Sequence, residues 1–143
     1  MTHYANIISK FKGKRILVVG DVILDQYIKG VVSRISPEAP VPVVLQQGEA
    51  VYTPGGSANV ANNLSALGAK VTLVGKIGAD PEAKILLKAL RKLKIGTAGL
   101  FADKSIPTAL KTRVIAEHQQ IVRVDREKIV KELDFARVKK LMR

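Results

Sequence analysis

Apolar residues in this chain fall in short runs separated by glycine, proline and charge, and the spacing within those runs switches between strand and helix periods. Ile16, Leu17, Val18 and Val19 form an unbroken run ending at Gly20-Asp21, the pattern of a strand buried on both faces of a helix-covered parallel sheet. Before it, residues 4–11 place Ile7, Ile8 and Phe11 on one side of a short helix. Residues 22–32 are β-branched and alternate loosely. The segment after them carries Pro37, Pro40 and Pro42, which exclude a helix and a central strand. Two exposed strands around a proline-rich turn are predicted there, a flap outside the main sheet.

From residue 54 the sequence reads PGGSANVANNLSALG. Ser57 or Gly56 can cap a helix and Gly68 can end it in a left-handed conformation. Val60, Leu64 and Leu67 fall at helical spacing and mark its expected buried face. A second apolar strand covers residues 70–80. Asp80, Pro81 and Glu82 then supply an N-cap, a proline at the first helical position and an acid in the first turn. Ile85, Leu86, Ala89, Leu90 and Leu93 form the inner stripe of that helix, with Lys84, Lys88, Arg91 and Lys92 outside. Strands are predicted at 97–101, 108–116 and 120–125, and a final helix from about Asp134 carrying Phe135, Val138 and Leu141. The order, three strands and then alternating helices and strands, predicts an α/β fold with a small β-flap inserted early.

Composition narrows the function classes. A hydrophobic content of 47% supports a buried core, and with aromatics at 4% that core is built from Val, Ile, Leu and Ala. The absence of cysteine excludes disulfides and cysteine-rich zinc sites. No apolar stretch approaches the roughly 18 residues of a membrane span, and the N-terminus has no secretory pattern; a cytoplasmic protein is expected. The net charge of +12 attracts phosphate, on a nucleotide, a sugar or a nucleic acid.

Three polar stations lie where strands of an open α/β sheet end, the place where ligands gather. They are Asp21 with Asp25, the Gly55-Gly56 pair with Asn59, and the Gly75–Gly78 segment. Asparagine is a poor helix former, so Asn59, Asn62 and Asn63 near a helix start ask for an explanation. Asn62 and Asn63 have one in solvent or backbone contacts. Asp25 and Asn59 suit a polyol: a carboxylate accepts from two neighbouring hydroxyls, and a carboxamide donates and accepts at once. Gly55 and Gly56 admit close approach to the backbone. There is no Walker-type loop, no metal-ligand cluster and no nucleophile elbow.

GDVILD at 20–25, PGGSANVANNLSALG at 54–68 and VGKIGAD at 74–80 resemble the PfkB (ribokinase-type) carbohydrate kinases. SRISPEAPVPVV at 33–44 and KTRVIAEHQQIVRVD at 111–125 are similar, within that family, to the heptose-7-phosphate kinases that serve ADP-heptose and lipopolysaccharide synthesis. The resemblance covers nearly the whole chain. It implies a Rossmann-like α/β sandwich whose lid takes strands from about residues 22–47 and makes a homodimer contact. It also implies transfer of the ATP γ-phosphoryl group to the anomeric hydroxyl of D-glycero-D-manno-heptose 7-phosphate, with Mg²⁺. Asp25, Gly55, Gly56 and Asn59 would then surround the sugar, and Arg113, Gln120 and Arg123 would hold its phosphate.

Ala83 stands where the family commonly has glycine. The family's later Gly-Ala-Gly-Asp element, which carries the catalytic base beside the ATP site, does not occur in these 143 residues. Residues 1–143 are therefore expected to be the N-terminal half of a kinase domain, inactive alone and prone to associate through an uncovered sheet face, with no catalytic base and no metal ligand of their own. Two other readings stand beside this one. The chain is a non-catalytic sugar-phosphate-binding or dimerisation module, or a basic nucleic-acid binder, the latter without stacking aromatics or a recognised motif.

Overall fold

The computed structural model describes residues 3–129 and 138–139. A short helix α1 (His3–Ser9) leads into β1 (Arg15–Val19). A 14-residue strand β2 (Val22–Ile35) follows, then β3 (Pro42–Gln46) and β4 (Val51–Gly56). After them come α2 (Ser57–Ala66), β5 (Lys70–Gly78), α3 (Pro81–Lys92), β6 (Gly96–Asp103), β7 (Ala109–Ala116) and β8 (Gln119–Arg126). The last predicted helix lies almost wholly outside the described residues; Val138 and Lys139 are helical, and Val138 is buried.

Two sheets form. The main sheet is parallel, in the order β1-β5-β6. Val71, Leu73 and Ile77 alternate along β5 and join Ile16 and Val18 of β1 in one cluster with Ala58 and Ala61 of α2 and Ala83, Leu86 and Leu90 of α3. Both helices therefore cover the same face. α3 follows its sequence pattern: its basic residues are exposed and its apolar stripe turns inward.

Two expectations are corrected. β1 is an edge strand and only half-buried, with Val19 49% exposed, because among the described residues it pairs with β5 alone and the helices shield one face. On α2 the side against the sheet is Ala58 and Ala61, both fully buried, whereas Val60 and Leu67 are exposed and only Leu64 of the expected trio packs on the core. Small side chains let the helix sit close to the strands, so the alanines take the inner position. Gly68 ends the helix with φ +87°, as the sequence predicts.

The second sheet is the lid, and it draws on more of the chain than residues 22–47. One edge of β2 pairs antiparallel with β4 along Val22–Tyr27 and with β3 along Gly30–Ile35. Its other edge pairs in parallel with β7, which carries β8 as an antiparallel hairpin partner. Pro42 opens the edge strand β3, where a missing N–H costs nothing. Pro54 is likewise tolerated because, among the described residues, β4 pairs with β2 on one edge only. Leu24 is fully buried and Leu110 packs on the core, so the base of the lid is continuous with the main cluster.

Candidate functional site

The end of β1, the start of β2, the end of β4 and the start of α2 meet at one point. The Asp21 carbonyl accepts both the backbone N–H of Ser57 at 2.9 Å and its hydroxyl at 2.8 Å, which ties the turn after β1 to the first residue of α2. Gly56 caps α2 with φ +55°, and no side chain caps the helix. A side chain at Gly56 would be strained there and would also run into the Asp21 carbonyl.

Asp25 lies one turn of the pleat along β2. Its carboxylate rests on Gly55, filling the space a side chain there would occupy. Its Oδ1 accepts from Arg113 Nη1 at 2.6 Å, an ion pair in which both side chains are about four-fifths buried. The Arg113 guanidinium also stacks over the Tyr27 ring, 5.4 Å from its centroid. The hydrogen bond to Asp25 holds the Arg113 pKa above its ordinary value.

Strand register puts these groups on one face. Asp25 pairs with Lys111 and Tyr27 with Arg113 across β2 and β7; Lys111 pairs with Asp125 and Arg113 with Arg123 across β7 and β8. Lys111 Nζ donates to Asp125 at 2.9 Å and to Glu127 at 3.2 Å, and Arg123 Nε donates to the other Asp125 oxygen at 2.8 Å. A row of alternating charge thus runs across three strands from Asp25. The Asp125 hydrogen bond is the main cause that raises the Lys111 pKa, and the Lys111 hydrogen bond is the main cause that lowers that of Asp125.

The structure therefore brings together Asp25, Gly55 and Arg113, with Arg123 at the far end of the same row. Gly56 adjoins them in β4, and Asn59 sits exposed in the first turn of α2. Gln120 is exposed at the hairpin end of β8, opposite Ile115. The Gly75–Gly78 station is a packing element: a side chain at Gly75 would strike Val22 and the Gly20 carbonyl, and one at Gly78 would strike Thr108. Asp80 caps α3 through Ala83 N–H at 2.9 Å and accepts from the Thr108 hydroxyl at 2.6 Å and its N–H at 2.8 Å. Sequence reading missed Tyr27, Lys111 and Asp125. Their signal is the i, i+2 alternation of charge in KTR and RVD, which a hairpin with its turn at Glu117-His118 superposes on one face.

A parallel, helix-covered sheet with a separate β-lid whose charged face begins at a carboxylate over a Gly-Gly pair is the architecture of a carbohydrate-kinase fold. The chain belongs to the pfkB family of carbohydrate kinases, which it matches over residues 14–139. It is 56% identical over 114 residues to the "Bifunctional protein HldE" of Helicobacter pylori (strain P12), covering 80% of this chain and 24% of that protein. The chain thus spans about a quarter of the length of the curated relatives it matches. Among solved structures it superposes on the fructokinase of Halothermothrix orenii with TM-score 0.60 and 25% identity, over 90% of this chain and 43% of that one. It also superposes on the fructokinase of Xylella fastidiosa with bound ATP, with TM-score 0.57 and 24% identity, over 79% of this chain and 33% of that one.

Proposed function

We propose that this chain is the acceptor-binding part of a sugar kinase that transfers the ATP γ-phosphoryl group to the anomeric hydroxyl of D-glycero-D-manno-heptose 7-phosphate. The observation that carries the reading is the Asp25 carboxylate, seated over Gly55 and paired with Arg113 at 2.6 Å, at the start of a charged lid face. Family membership and the likeness to HldE support the same reading.

In the transfer, the anomeric oxygen bonds to the γ-phosphorus, the bond from that phosphorus to the β–γ bridging oxygen breaks, ADP leaves, and the proton of the anomeric hydroxyl is released. The work of this chain is to orient the acceptor. Asp25 keeps one oxygen on Arg113 and offers its remaining lone pairs to neighbouring sugar hydroxyls. Asn59, at the start of α2, donates to and accepts from the same ring, and Arg113, Gln120 and Arg123 face the phosphate end. The lid covers the sugar and excludes water, which would otherwise compete as acceptor. Mg²⁺ serves such reactions on the nucleotide phosphates with one or two carboxylates. Among the described residues no group of three or more His, Asp or Glu side chains converges to hold a metal. None of the described carboxylates is assigned as the base.

Two copies of the chain join through the lid, and a reaction that uses ATP and a sugar phosphate belongs in the cytoplasm. Calorimetric titration of the chain with heptose 7-phosphate tests the reading. Saturable binding is expected, with Asp25→Ala weakening it by about 30-fold or more, the scale of losing a charge-assisted pair of hydrogen bonds. Equal affinity in the wild type and Asp25→Ala would overturn it.

A further inference from the structure

Asp125 makes bonds to two cations at once, and the way it does so leaves their other donors free. It takes the Nε–H of Arg123, at 2.8 Å, rather than the terminal fork. Both Nη groups of Arg123 are without partners among the described residues, and the side chain is 49% exposed. On its second oxygen Asp125 takes one N–H of Lys111, at 2.9 Å, and Glu127 takes another at 3.2 Å. One donor of Lys111 and four of Arg123 remain, on the lid face that also bears Asp25. An arginine held by its Nε has its planar fork fixed in direction, which suits the bidentate grip of a phosphate.

The spacing is right for one ligand to reach both ends of the row. Asp25 and Asp125 lie in register on strands separated by β7. Two strand spacings amount to about 10 Å, the scale of a seven-carbon sugar from its ring to a terminal phosphate. Seven charged side chains stand on this face of the strands that build it: Asp25 and Lys29 on β2, Lys111 and Arg113 on β7, Arg123 and Asp125 on β8, and Glu127 just beyond β8. They carry four positive and three negative charges. An excess of one positive charge gives only a weak general pull on anions, so discrimination must come from where the donors point.

We infer that Asp125 is a positioning residue for phosphate recognition, aiming the Arg123 fork and the Lys111 ammonium at the phosphate of the acceptor sugar. This rests on the sugar-phosphate reading above and adds a residue which that reading does not contain. Asp125 touches no substrate; it acts through Arg123 and Lys111. A carboxylate that only fastened β7 to β8 would, when removed, lower stability without altering the preference for a phosphorylated sugar.

The experiment is a calorimetric comparison of D-glycero-D-manno-heptose 7-phosphate with unphosphorylated D-glycero-D-manno-heptose. The proteins are wild type, Asp125→Asn, Arg123→Gln and the double variant, each also melted thermally. The wild type is expected to prefer the phosphorylated sugar. Asp125→Asn should lose about 5- to 10-fold in affinity for it, the order of one loosened charge-assisted contact, with no change for the plain sugar. The double variant should lose clearly less than the sum of the two single losses, since Asp125 acts in part through Arg123. A wild type indifferent to the phosphate overturns the sugar-phosphate reading, and Asp125 with it. If the wild type prefers the phosphate but Asp125→Asn retains that preference, or its loss adds fully to that of Arg123→Gln, the positioning role alone is overturned.

Discussion

Asp80 shows how much one carboxylate can hold at the residue scale. It caps α3 through Ala83, and its two oxygens take the hydroxyl and N–H of Thr108, which is fully buried and whose hydroxyl in turn accepts from Gly78 N–H at 3.0 Å. Partial burial works against its charge, but the Thr108 and Ala83 hydrogen bonds and the nearby Arg126 outweigh it and hold its pKa below the ordinary 3.8. A carboxyl more acidic when folded than when unfolded stabilises the fold above its unfolded pKa. That stabilisation is lost as pH falls through the lower folded value. Asp80→Ala should therefore cost about 2–4 kcal/mol at pH 7, one lost cap plus an unpaired polar group, and the deficit should shrink as pH drops below about 4. Urea unfolding at several pH values reads this directly, and a deficit that stays constant into acid would show that the charge of Asp80 does not matter. The cap was legible in the Asp-Pro-Glu sequence; the Thr108 bonds were not, because the two residues lie 28 positions apart. Gly55 is similar. Its pairing with Gly56 suggested room for a ligand, and only the fold shows that the Asp25 carboxylate fills the space.

At the scale of elements, apolar period identified most strands and helices, while their partners stayed hidden. β7 reads plainly as a strand, but nothing local says that it lies parallel to β2, some 86 residues earlier. β4 was hidden because a proline and two glycines disguise an edge strand as a loop. The inner side of α2 was misread because large side chains draw attention where close packing selects alanine. The β7–β8 hairpin carries a further feature. Its two-residue turn places Glu117 at φ +49° and His118 at φ +65°, flanked by the Ala116–Gln119 pair. This is the twist-matched hairpin turn that Asn-Gly occupies most readily, and side chains other than Gly, Asn or Asp are strained in it. Replacing Glu117 and His118 by Asn and Gly should stabilise the chain by about 1 kcal/mol and raise the thermal midpoint by a few degrees. A midpoint unchanged or lowered would mean that Glu117 or His118 makes up the strain through contacts of its own.

For the whole molecule, the two faces of the lid carry opposite chemistry, and this bears on assembly. The face with Asp25, Lys111, Arg113, Arg123 and Asp125 is charged. On the other face Leu24 and Leu110 enter the core at the base, the hydrogen-bonded Gln26–Thr112 pair follows, and beyond it Ile28, Val114 and Val122 pair across three strands, with Val32 beside Val44 further along. Val122 is 47% exposed and Val124 57%. Arg123 between them points to the charged side, so the alternation that supplies the proposed phosphate donor also presents two valines to solvent. Exposed β-branched rows on a sheet tip are costly to leave in water, and a second lid stacked against them would recover about 1–2 kcal/mol per valine fully covered. The chain is accordingly expected to sediment at twice its 15.5 kDa mass. Val122→Asp together with Val124→Asp should return it to a monomer, because charge on a buried apolar contact costs far more than the contact gains. The substitutions lie on the face away from Asp25, so heptose 7-phosphate affinity reports separately on the sugar site. Affinity retained in the monomeric variant would show that each lid serves its own sugar. Affinity lost with the dimer would show that the second copy helps to build the site. A wild type that sediments as a monomer at every concentration would remove the lid as a dimer contact altogether.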